Sequence, residues 1–154
     1  MDLEYVISIH ESGHVLAAYL LGIPIQFVSL DSNPPQTRYA QDLCEICISK
    51  RLMVILGGWA ATEVMGLNRE LWCKQMEGHD RDLQQAGHMV KEKWGEHSLT
   101  PIICATKRAL VCLFCDKTCA LKTLSFYLRK CRILTCSQIE EILLLFNLEP
   151  FAES

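Results

Sequence analysis

The segment "VISIHESGHVLAAYLLGIP", residues 6–24, constrains this chain more than any other. Val6, Ile7, Ile9, Val15, Leu16, Ala18, Tyr19 and Leu20 recur densely enough to predict a helix over 3–21 that is buried on most sides. The same helix carries His10, Glu11 and His14. Buried polar groups are costly unless something satisfies them. Any fold that hides this helix must therefore bring partners to three ionisable side chains.

His10 and His14 are four residues apart, so on a helix they lie one turn apart on one face. Two imidazoles so placed reach a single zinc ion at about 2.0–2.1 Å. Glu11 stands three residues before His14, which sets its carboxylate beside the metal rather than on it. A general base belongs there, to take a proton from zinc-bound water, whose pKa falls to roughly 7. The pattern is H-E-x-x-H, a metalloprotease signature. Gly13 leaves room for a neighbouring chain or loop near the metal. The structural alternative is a chance pentapeptide whose histidines are satisfied by backbone or water. The helical, apolar setting is what zinc chemistry requires and chance does not.

A catalytic zinc takes three protein ligands and one open position. Glu63 in "AATEVM" and His79, Asp80, Asp82 and His88 in "EGHDRDLQQAGHMV" are the candidates for the third. Asp82 is attractive because it reads as starting a helix and could point off its N-terminal end. Its structural alternative is an acid placed against the helix dipole. Spacing alone does not choose among the five.

The remainder reads as a mainly α helical bundle with one short β element, a single domain over 1–154. Gly22 ends the first helix and Pro24 prevents its resumption. "IQFVSL" (25–30) alternates and predicts a strand; "DSNPPQTRYAQD" predicts a loop. Helices are expected over 43–65, 80–94 capped by Asp80, 102–115, 117–131 and a last one capped by Ser137. Gly57 and Gly58 cost helix stability, so close packing against another helix is their reason. Trp59, Trp72 and Trp94 read as core.

The formal net charge is −3 with no basic block, which argues against a nucleic-acid partner. Nine cysteines are an odd number, and acidic Asp2 and Glu4 stand where a secretory signal would be basic. Reduced, mostly buried thiols in an intracellular compartment, cytoplasm or organelle matrix, are therefore expected. "CEIC" and "CLFC" could form a four-thiolate site, but the second pair lies in a helical apolar run and reads as buried and inert. The run Val15–Leu30 is interrupted by Gly22, Pro24, Gln26 and Ser29, so no membrane span is expected.

Three blocks, "SIHESGHVLAAYLLG", "LMVILGGWAATEVMG" and "DRDLQQAGHMVKEKWG", resemble in order and approximate spacing the FtsH-type zinc proteases, membrane-anchored AAA proteases with a mostly helical peptidase domain. The tail "LKTLSFYLRKCRILTCSQIEEIL" is similar to that family's closing helices. The resemblance implies zinc as cofactor, His10, His14 and Asp82 as ligands, Glu11 as base and Glu63 as an acidic support beside them. It implies hydrolysis of unfolded or flexible polypeptides, and an extended substrate could add to the strand at 25–30. No P-loop, ATPase module or membrane anchor is expected within these residues, and "DSNPPQTRYAQD" replaces the family's longer glycine-containing segment; a partner supplies the ATPase, the chain is a fragment, or the substrates are already unfolded. An AAA ATPase acting in trans, or a homo-oligomer, are the partners this implies. Two alternatives remain: a non-catalytic zinc-stabilised module that binds a protease-ring partner, and a site-2-type intramembrane protease. The charged content after residue 67 argues against the second.

Overall fold

Helix α1 (Leu3–Leu20) runs through the middle of the molecule, with Val6, residues 8–18 and Leu20 all buried. This computed structural model describes residues 2–67 and 77–151. The Asp2 carboxylate caps α1 by accepting from the Glu4 amide at 3.0 Å. Gly22 ends the helix at φ +72°, where a side chain would be strained, and the Ile23 amide then donates back to Ala18 O at 2.8 Å.

The chain continues through β1 (Ile25–Ser29), β2 (Gln36–Tyr39) and a 3-10 turn (Leu43–Glu45) into α2 (Ile48–Val64). Then come α3 (Glu77–Trp94), a second 3-10 turn (Glu96–Ser98), α4 (Leu99–Phe114), α5 (Thr118–Cys131), β3 (Ile133–Thr135) and α6 (Cys136–Leu144). Helix α1 packs between α2 and α5, and α2 also meets α3 and α4. A hydroxyl pair, Ser8 and Ser125, ties α1 to α5 inside the core.

The mainly α architecture with a small β element is therefore the observed one, yet the sheet is larger than expected. It has three antiparallel strands in the order β2-β1-β3. "QTRY", expected in a loop, is an edge strand because it can pair with β1. Since β1 is flanked on both sides, the strand at 25–30 has no free edge for a substrate, and that expectation is corrected. The helix expected over 43–65 is split: the Asp42 carboxylate accepts from Cys44 N at 2.9 Å and caps a separate turn. Helix α3 begins at Glu77, so Asp80 is not its cap and Asp82 lies beyond its first turn. Thr135 rather than Ser137 caps α6, through reciprocal bonds with Gln138.

The cysteines also depart from expectation. Cys44, Cys47, Cys104, Cys112, Cys115, Cys119 and Cys131 are exposed, and Cys136 is half-buried. The phase of α4 explains the second pair: Leu110 and Phe114 take the core positions at 0 % exposure, so Cys112 and Cys115 turn outward. Trp94 is likewise exposed, while Trp59 is half-buried beneath Lys107, whose Nζ sits 4.3 Å from its ring centre. Trp72 lies outside the described residues.

Candidate metal centre

The α1–α2 contact is made by absent side chains. A Cβ on Gly13 would collide with the Gly57 carbonyl oxygen and lie 2.5 Å from the Ala61 Cβ. A Cβ on Gly57 would meet the Gly13 carbonyl oxygen at 2.7 Å. The expectation of close helix packing at the paired glycines thus holds, and the neighbour that Gly13 admits is α2. Gly58 has a different task. A Cβ there would stand 2.5–2.7 Å from three atoms of the His10 ring, so the bare backbone is the surface on which that imidazole lies.

Asp82 of α3 completes the arrangement. Its Oδ2 lies 2.9 Å from His10 Nε2 and 3.0 Å from His14 Nε2, and the two Nε2 atoms are 3.0 Å apart. Three atoms of the kind that coordinate metals therefore converge on one point. The His14 Nδ1 is 2.8 Å from Val54 O. A carbonyl only accepts, so Nδ1 carries the proton and the Nε2 lone pair faces that point. Of the other candidates, Asp80 is exposed and His88 is turned outward to Glu92 at 3.4 Å. The side chain of His79 lies outside the described residues. Glu63 is exposed and is not among the residues that line the cleft. Its position five residues after Gly58 turns it roughly 140° from the face that carries His10.

Glu11 stands beside this triangle of atoms. One of its carboxylate oxygens and the nearest nitrogens of His10 and His14 all lie within 4.8 Å of one another. The Thr37 hydroxyl of β2 donates to Glu11 Oε2 at 2.8 Å, which orients the carboxylate and leaves its second oxygen unclaimed by Thr37. His10, Glu11, His14 and Asp82 open into a cleft of about 280 Å³, which Pro34, Pro35, Tyr39 and Arg81 also line. No cysteine joins a metal-sized cluster among the described residues.

The electrostatics call for positive charge at the convergence point. Burial opposes a charged His14, yet the Asp82 carboxylate, aided by Glu11 and Val54 O, raises its pKa to about 9. Asp82 is held well below the usual carboxylate range: burial opposes this, and the two histidines outweigh it. Burial, then Glu11 and Asp82, push the Tyr39 phenol upward. Two imidazoles facing each other and a carboxylate at 3.0 Å need a proton or a cation between them. The buried His10, Glu11 and His14 group could hold a metal ion. Asp82, the Val54 carbonyl and the Gly58 cradle fit the same purpose.

Neither the family models searched nor the curated proteins searched contain a match to this chain. Thr37, Tyr39 and Val54 were not among the residues singled out from sequence, and Gly58 was singled out for helix packing, not for its contact with the His10 ring. Only the alternation of Thr37 and Tyr39 in "QTRY" offered a local signal.

Proposed function

We propose that this chain is a zinc-dependent endopeptidase of the FtsH type, acting on unfolded or flexible polypeptides. The observation that carries this reading is the convergence of His10 Nε2, His14 Nε2 and Asp82 Oδ2 within 3.0 Å, with Glu11 beside them at the head of an open cleft. Three protein ligands and an open side are the donor set of a catalytic zinc rather than a closed structural one. Bound there, zinc would supply Lewis acidity toward a carbonyl oxygen and a water acidic near neutral pH.

Every remaining task falls to side chains and backbone. Glu11, oriented by Thr37, takes the proton of the attacking water and delivers it to the leaving amine. His14 keeps its coordinating nitrogen free because Val54 O holds its other proton. Gly58 and α2 exclude bulk from behind His10. An extended substrate pairs with the outer edge of β2, which has no strand on that side among the described residues and whose residues line the cleft. The substrate is already unfolded or is delivered by an ATPase partner.

Among the described residues no single helix is long and apolar enough to cross a membrane. The test compares metal content and casein cleavage of the wild type with Glu11→Gln. Bound zinc and cleavage lost by at least about 100-fold in the variant support the peptidase. Zinc retained with no Glu11-dependent cleavage supports the non-catalytic scaffold instead.

A further inference from the structure

The inner face of β2 offers two side chains to the cleft, and the mechanism above uses one of them. Burial alternates along Gln36–Tyr39 as exposed, half-buried, exposed, half-buried, so Thr37 and Tyr39 point the same way. The Thr37 hydroxyl is committed to Glu11. Tyr39 lines the cleft with His10, Glu11, His14 and Asp82. Its hydroxyl has no hydrogen-bond partner among the described residues, unlike that of Tyr19, which donates to Leu148 O at 2.8 Å. A bulge between Ile25 and Phe27 pairs Tyr39 with Ile25 instead of Gln26, and such bulges re-aim side chains beside functional sites.

We propose that Tyr39 is a catalytic hydrogen-bond donor, its phenol donating to the oxyanion that develops when water attacks a scissile carbonyl. The inference rests on the peptidase reading. Attack forms a C–O bond and moves the carbonyl π pair onto oxygen. Collapse restores the C=O as the C–N bond breaks, and the amine leaves with the proton carried by Glu11. The oxygen bears full negative charge only between those events, so a donor aimed there favours the transition state over the bound substrate. Other donors on the cleft wall fit less well. Arg81 and Gln85 are exposed, and Thr37 is engaged. A neutral phenol donates without placing a charge beside the metal ligands.

The test compares zinc-loaded wild type and Tyr39→Phe in cleavage of a fluorogenic peptide and in binding of a phosphinic peptide, whose tetrahedral anion imitates that oxygen. The expected result is a kcat about 100-fold lower with KM within about twofold. Phosphinic-peptide affinity falls in parallel, while product-peptide affinity, zinc content and Tm are unchanged. Equal kcat and equal phosphinic-peptide affinity overturn the role of Tyr39 and leave the peptidase standing. Parallel loss of phosphinic and product peptide assigns Tyr39 to packing and also overturns it. A wild type that neither cleaves nor binds the phosphinic peptide overturns both readings.

Discussion

The seam between α1 and α2 and the outer face of α4 and α5 are both rich in small residues, and they obey opposite rules. At the seam, Gly13, Gly57 and Gly58 are touched from the other side by backbone or by the His10 ring, so one added carbon meets an obstacle. On the outer face, Cys104, Cys112, Cys115 and Cys119 are exposed. Composition scores both regions as small and apolar. What separates them is what stands opposite, and only the seam adjoins His10.

Gly13→Ala strikes the seam hardest. Its Cβ meets the Gly57 backbone, which cannot swing aside as a side chain can, so α1 and α2 must separate. A loss of about 3 kcal/mol or more is expected in denaturant melts, with zinc binding lost alongside. A variant with wild-type stability would break the comparison. Gly58→Ala should cost less, about 1–2 kcal/mol, because the obstacle is one imidazole. It should nevertheless weaken zinc affinity by at least about 10-fold, since His10 itself is displaced. Titration against a zinc chelator reads this directly.

The site also predicts a pH signature. In the metal-free fold His14 binds its proton more tightly than in the unfolded chain, with its pKa raised from 6.5 to about 9. The stability this contributes is fully present below pH 6.5 and disappears as pH rises through about 9. The Tm of the metal-free protein should therefore fall across that window. Zinc replaces the proton, so loading at pH 7.5 should release about one proton, measurable by calorimetry in buffers of different ionisation heat. A flat Tm together with no proton release would contradict the buried cationic requirement. The smallest effect belongs to the outer face: Cys112→Ser, Cys115→Ser and Cys119→Ser should each shift stability by less than about 0.5 kcal/mol, with zinc content unchanged. A larger loss would show that the two regions are not as different as their surroundings suggest.

Features with local causes were readable from the chain. The apolar density of residues 3–21, the stop at Gly22 and the one-turn spacing of His10 and His14 depend on neighbours in sequence. The helix carrying Asp82 was visible too, although Asp82 was one of five candidates until a family resemblance favoured it. Features that depend on distant pairing were not readable. "QTRY" is short and follows two prolines, so its strand character exists only through pairing with β1. The Val54 carbonyl that fixes His14 lies 40 residues away and leaves no mark in side-chain identity. The outward cysteines were misread because a thiol scores as apolar, whereas Leu110 and Phe114 decide which way α4 faces.

The claim on which all of this depends is that one divalent ion sits among His10, His14 and Asp82. Anomalous diffraction at the zinc edge, from crystals of zinc-loaded protein, tests it most directly. The account predicts one strong peak about 2.0–2.2 Å from His10 Nε2, His14 Nε2 and an Asp82 carboxylate oxygen. A zinc-saturated crystal with no peak there, or with its principal peak at the cysteines, would contradict it.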